Sequence, residues 1–593
     1  MAAGALLGCS ATRSSAFGDD GDSHSGATSV TAASSSSGAG GHGGGGLGFG
    51  GAGQGGSVPC GQPCSADFHH VVDCGGNVLE TCTGTDGCNP GTGKCENACT
   101  VAEGNKLSVG CRYLSTYMEN YGGQCFAAFV ANTWNEPAHL TVEYAGQMLS
   151  PGTFGFIPVG TGPNLTFEPF NAAAGIPPGE VVVLFLAGQL GTPGPGQAFC
   201  PKTPAVPNAQ LNGTGIGASF RIDADVPVVA YQINPYGGGS AAVTGASLLL
   251  PTSVWSDNYV AVTAYQSNNP ANPSFNIVAE ENDTKVTLLP TQALVGGGGI
   301  PGGAANVPLT FTLNRGQHAQ ISQPTDLTGS VIQTTKRVGF MAGHRCAFIP
   351  QGVLYCDHGE QMIPPIQSLG SEYAGVMYRP RMGEPAVWRA IGVVDGTTLT
   401  WSAPVGGPAQ LARGQVAEFH TGTPFLVSSQ DADHPFILFQ HMSGSTWKPG
   451  MDGYGDSDAV ISVPTKQYMR NYVFFADPTY PETSLVVVRA KGQDAKFHDV
   501  TLDCAGVLPG FQPVDPTGNY EWARVDLITG NFQNVGSCST GRHEMANDAP
   551  FGLWVWGWGT PLTSTFTKNV SYGYPGGMNV VPINDVVVVP DPR

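Results

Sequence analysis

Six residues between positions 344 and 360 bring imidazole, thiol and carboxylate together: His344, Cys346, Cys356, Asp357, His358 and Glu360. Imidazole nitrogen and carboxylate oxygen can ligate a metal or pass protons, and on a surface His344, Asp357, His358 and Glu360 would form a ligand patch. The competing reading is structural: Cys346 and Cys356 close a small disulfide loop, and the polar side chains hydrogen-bond strand ends. A second pattern is acidic. Asp452, Asp456 and Asp458 in MDGYGDSDA, with Asp223/Asp225 and Asp431/Asp433 in two DAD phrases, offer hard oxygen ligands that suit calcium between β modules. EF-hand spacing is absent, and solvated loops are the plainer account. A third is aromatic: Trp554, Trp556 and Trp558 alternate and so share one face of a strand. Exposed, they would stack on sugar rings; buried, they would be core.

Signatures of nucleophilic and metal catalysis fail. His543-Glu544 opens an HExxH-like pattern, but Asn547 stands where the second histidine belongs. No GxSxG elbow, Walker A loop or dinucleotide fingerprint occurs in a strand–turn–helix context. Glycosidase carboxylates cannot be recognised without a fold. A binding or adhesion protein without catalysis is therefore the leading expectation, and an extracellular hydrolase of glycans or other polymers the alternative.

Two phrases recur and define the scaffold. A proline and a tyrosine eight positions apart appear as Pro251/Tyr259, Pro365/Tyr373 and Pro464/Tyr472, in steps of 114 and 99 residues. A second phrase appears as DADVPVVAYQ (Pro227), TTKRVGFMAGH (Arg337), DADHPFILFQH (Pro435) and NDAPFGLWVWG (Pro550), in steps of 110, 98 and 115. Two markers with one period mean a duplicated unit of domain size. Runs such as YVAVTAY, FNIVAE and KVTLLP, separated by turn residues, read as antiparallel strands. The fold class is all-β: about four tandem antiparallel modules, sandwich-like or alternatively β-propeller-like. The units run over about 101–243, 244–357, 358–456 and 457–580 of a region 101–593. The first lacks a clear Pro/Tyr phrase.

Fifteen cysteines indicate an oxidising compartment. Cys60, Cys64, Cys74, Cys82, Cys88, Cys95 and Cys99 crowd residues 59–100 with spacings unsuited to zinc, so a disulfide-stapled module is expected there. Cys504 and Cys538 read as another bridge. Cys111, Cys125 and Cys200 are an odd set, so one of them should pair with the odd Cys-rich module. Leu6-Leu7-Gly8-Cys9 resembles a lipobox, which makes Cys9 a lipidation candidate within a short signal-like segment, 1–9, with no basic n-region. Residues 10–58 are Ser/Gly-rich and expected to be a disordered tether. The net charge of −19 argues against nucleic acid. Membrane contact is expected only through the lipid anchor.

The phrases VPVVAYQINPYGG, TGASLLLPTSVWSDNYVAV, RVGFMAGHRCAFIP with YCDHGEQMIPPIQSLGSEY, and APFGLWVWGWG with SYGYPGGM resemble the family named for the N-terminal region of the IgGFc-binding protein. They span most of 101–580. The segment CGQPCSADFHHVVDCGGNVLETC is similar to Cys-rich modules that precede such domains in large secreted proteins of soil bacteria. The resemblance implies an extracellular, cell-surface or matrix-associated adhesive protein with a protein or glycan ligand; with the Cys9 motif, the expectation is a secreted protein or outer-surface lipoprotein of a bacterium. The resemblance carries over neither antibody binding nor any catalytic residue.

Overall fold

The computed structural model describes residues 63–591, apart from 66–67, 74–76, 121–123, 192–197, 238–242, 268–270 and 564–567. Cys9, Cys60, Cys74, the signal-like segment and the 10–58 tether lie outside the described residues. The described chain is all-β, with one α-helix, Ala98–Asn105. No described helix is long and apolar enough to cross a membrane.

Four modules follow one another, and in three of them a curled sheet is organised around a strand that turns a corner. In the first, the start of Phe220–Ile233 pairs with Gly110–Ser115 and Leu140–Tyr144, and its end with Phe126–Asn132 and Ala246–Leu248. In the second, Val331–Ala347 pairs first with Ser256–Val260 and Thr284–Leu289, then with Pro273–Ala279 and Asp357–Met362. In the fourth, Gly541–Trp558 passes from Met469–Ala476 and Thr501–Leu502 to Glu482–Ala490 and Ser571–Pro575. The third keeps this plan in two four-stranded sheets, with Phe425–Ser429 and Phe436–Met442 as separate strands. A strand that changes partners at a bend is how one sheet supplies both walls of its own core.

The two recurring phrases are the two ends of one hydrogen bond. Tyr259 donates its hydroxyl proton to Val338 O at 2.8 Å, Tyr373 to Phe436 O at 2.6 Å, and Tyr472 to Phe551 O. Each acceptor is the residue after Arg337, Pro435 or Pro550, at the corner. Each hydroxyl also accepts the backbone N–H three residues earlier, from Ser256, Gly370 and Met469 at 3.0–3.2 Å. The proline eight positions upstream N-caps a 3-10 turn, Thr252–Val254, Ile366–Ser368 or Thr465–Gln467, where its fixed φ suits the entry. The first module has the same clamp: Tyr113 donates to Val228 O at 2.7 Å, next to Pro227. Sequence reading missed it because Asn105, the last helical residue, stands where the proline would be.

The inner edge strands, Ala246–Leu248, Asp357–Met362, Asp458–Ile461 and Ser571–Pro575, touch one another in cyclic order. The first three begin at or just past the boundaries drawn at 243, 357 and 456, so cuts there would sever each from the sheet it pairs with. The cycle closes where Ser108 N–H bonds Met578 O at 2.9 Å and Val580 N–H bonds Lys106 O at 2.7 Å. Pro251 of the second module and Pro464 of the fourth lie against Gly110 and Gly370. A Cβ on either glycine would come within 2.6 Å or 2.4 Å of the proline ring, so glycine is required at both seams.

The Cys-rich segment is held by Cys64–Cys88 and Cys82–Cys95. Cys99–Cys111 ties it to the first module, where Cys125–Cys200 also forms. Asn97 caps its helix by accepting the N–H groups of Cys99 and Thr100. Bridges substitute here for a core that so short a segment cannot build.

Candidate functional site

The polar residues singled out from sequence converge where the four inner strands meet. Asp357 is buried; its carboxylate accepts Thr244 N–H and Ser571 N–H, both at 3.1 Å, which joins the first, second and fourth modules. Glu360, also buried, accepts Gln232 Nε2–H at 2.8 Å. His358 Nε2 sits 3.3 Å from Asn234 Nδ2 and 3.5 Å from Glu360 Oε2. Asp456 and Asp458 come in from the third module, both fully buried. Burial is the largest cause that pushes the Asp357, Asp456 and Asp458 carboxyls well above the carboxylate range. Neighbouring acids add to it: Asp458 acts on Asp357, Asp357 on Asp456, and Glu360 on Asp458. Glu360 is raised as well, by burial, against the opposing pull of His358 and Gln232. The centre is therefore disposed to hold protons rather than bare charge.

Several surface readings give way to this packing. His344, Asp357, His358 and Glu360 are at most 1% exposed, so they form no ligand patch. His344 is a satisfied core histidine: Nδ1 accepts Cys346 N–H at 3.1 Å and Nε2 donates to Gln266 O at 3.1 Å. Cys346–Cys356 closes the adjoining loop and Cys504–Cys538 bridges the last module. Trp554, Trp556 and Trp558 are buried too, because their strand is paired along both edges, with Glu482–Ala490 and Ser571–Pro575, and is covered on both faces over 551–558. Trp554 Nε1–H bonds Ile461 O at 3.2 Å, and Trp558 lies under the Arg379 guanidinium.

The three aspartates proposed for calcium do not form one ligand set. Asp452 is exposed and accepts Asn569 Nδ2–H at 3.2 Å. Asp456 and Asp458 each turn back on the next backbone N–H, at 2.9 Å and 2.6 Å. Among the described residues, Asp503, Cys504 and His543 bring three ligand atoms within 4.8 Å, but the Cys504 sulfur is committed to its disulfide. The DAD phrases have protein partners: Asp223 pairs with Arg112 and Arg221, Asp225 with His139, and Asp431 with His434. His543-Glu544 lies on a β-strand, not a helix.

One open site was not anticipated. A cavity of about 570 Å³ lies on the last module, between Arg470-Asn471, the 497–501 segment and Ala546–Asp548. The shared Asn-Tyr dipeptide at 258–259 and 471–472 was the signal that would have pointed to it.

What the arrangement can do chemically follows from access. Asp357, Glu360, Asp456 and Asp458 are sealed at the module junction, whereas the open cavity presents Arg470, Asn471, His498, Asp499, Asn547 and Asp548. No curated protein and no solved structure matches the chain. The family model described as IgGFc binding protein matches residues 245–557, just over half of its length and covering the second, third and most of the fourth module. With all-β modules, disulfides and that match together, the chain belongs to the IgGFc binding protein family.

Proposed function

We propose that this protein is an extracellular binding protein that works through the surfaces of its modules. Family membership carries the reading, and the disulfides fit the oxidising compartment it requires. The corresponding ligand is a protein at a cell surface or in a matrix, with a glycan as the other class to be screened. Four duplicated modules around one sealed centre make a rigid platform, and rigidity limits the ordering cost of association. We extend the reading to an outer-surface lipoprotein of a bacterium, acylated at Cys9 and held off the membrane by residues 10–58.

The test is a binding screen of the oxidised chain against immobilised surface proteins, glycans and whole cells, with and without EDTA. Saturable binding supports the reading, and loss of that binding in EDTA would restore a structural calcium. Turnover of a polymer without binding would replace it with a hydrolase. Fatty-acid labelling that survives Cys9→Ala would remove the anchor.

A further inference from the structure

The residue before each clamp tyrosine pairs five steps ahead of the clamped residue in three modules and eight steps ahead of it in the third. Arg112, Asn258, Glu372 and Asn471 pair with Asp223, Gln333, Ser428 and Ala546. In three modules something from outside the module's own sheet engages it. Arg112 reaches Glu280 of the second module at 3.1 Å, beside the Cys99–Cys111 bridge that brings the helix onto this corner. Glu372 accepts hydroxyl protons from Thr465 and Tyr520, each at 2.7 Å. Asn258 holds the chain's own C-terminal tail: Nδ2 donates to Val588 O at 2.7 Å, and Oδ1 accepts Val588 N–H at 2.9 Å. That two-point grip takes the backbone of an extended segment, while the Val588 side chain packs into the adjoining hydrophobic cluster.

Asn471 is the same residue type at the same register, and its side chain has no hydrogen-bond partner among the described residues. It lines the 570 Å³ cavity instead. On the facing strand Asn547 is only 7% exposed. Its Oδ1 accepts Ala549 N–H at 3.2 Å, its Nδ2 is buried without a partner, and the residue lines the cavity. A buried amide donor left unpaired is costly, and a ligand carbonyl would satisfy it. We propose that this groove binds an extended segment of a partner polypeptide, gripped through one residue's N–H and C=O by Asn471 as Asn258 grips Val588. Asn547 donates to a second carbonyl, and Arg470 and Asp548 at the rim favour a segment with both charge signs nearby. Main-chain hydrogen bonds supply affinity in such sites and flanking side chains supply specificity. The proposal rests on the binding reading and names its site and partner class.

The probe is the tail sequence as a capped peptide, NDVVVVPD (residues 584–591), titrated into the full oxidised chain by fluorescence anisotropy. Saturable one-to-one binding is expected, weakened on the order of ten-fold by Asn471→Ala through the loss of two hydrogen bonds. Thermal melting should be unchanged. If Asn471→Ala melts early, Asn471→Asp removes the donor at constant size and repeats the test. The proposal is overturned if the peptide does not bind or if Asn471→Ala leaves binding intact. It also falls if only Asn258→Ala abolishes binding, which would mean exchange at the tail's own seat, or if a glycan rather than the peptide depends on Asn471. A screened protein ligand indifferent to Asn471→Ala would sink the groove and spare the binding reading. Peptide binding through Asn471 with an empty screen would do the reverse.

Discussion

The second and third modules turn the same corner by different means. In the second, Val331–Ala347 is unbroken, and five steps separate Gln333, paired with Asn258, from the clamped Val338. In the third, eight steps separate Ser428, paired with Glu372, from the clamped Phe436, and residues 430–435 loop out of the ladder. Proline is not the cause, because Pro227 and Pro550 sit inside unbroken strands. Three extra residues are. Both corners nonetheless end on a tyrosine hydroxyl held by one carbonyl and one N–H. The clamp sets the geometry, and continuity of the strand is optional.

The largest expected effect tests whether the two corners respond alike to acid. His344 follows the second corner and His441 the third, and burial pushes both down to about 3. Arg389 presses on each as a smaller cause. A histidine with a depressed folded pKa contributes stability that is fully present above its unfolded pKa of about 6.5 and is lost as pH falls. Each should cost about 2 kcal/mol between pH 6.5 and 5. The raised carboxyls of Asp357, Glu360, Asp456, Asp458 and Asp477 oppose this, because a raised folded pKa contributes stability present at low pH and lost as pH rises. The histidines are therefore read by difference: from pH 7 to 5 the melting temperatures of His344→Gln and His441→Gln should each rise relative to the unsubstituted protein, by a similar amount. A relative rise confined to one variant would break the equivalence.

The next effect separates the corners. Tyr259→Phe and Tyr373→Phe each leave a buried carbonyl and N–H short of a partner, at about 1–3 kcal/mol in urea unfolding. Tyr373→Phe should cost more, because no continuous ladder supports the third corner. Equal costs would show that the clamp acts independently of the strand. The smallest effect concerns the loop. Asp431 accepts Asp433 N–H at 2.9 Å and meets His434 Nδ1 at 2.6 Å, but it is exposed. Asp431→Ala should leave urea unfolding close to that of the unsubstituted protein and raise amide exchange at Asp433 and His434. A cost matching Tyr373→Phe would move control of the corner into the loop.

The repeat and its all-β character were legible because strands, turns and the Pro/Tyr phrases are local patterns that survive duplication. Cysteine parity pointed correctly to a bridge between the Cys-rich segment and the first module, later found as Cys99–Cys111. Alternation placed Trp554, Trp556 and Trp558 on one face but could not say whether that face met solvent. The sequence by itself determined the unit, its strands and its disulfide-bearing character. Only the tertiary structure decided that Asp357, Glu360, Asp456 and Asp458 share a sealed centre, that the 106–108 and 578–580 segments close the cycle, and that one of four equivalent corners stays open. Local pattern depends on backbone periodicity and turn chemistry within a few residues. Burial and vacancy depend on what arrives from a hundred or more residues away, as Val588 does at Asn258.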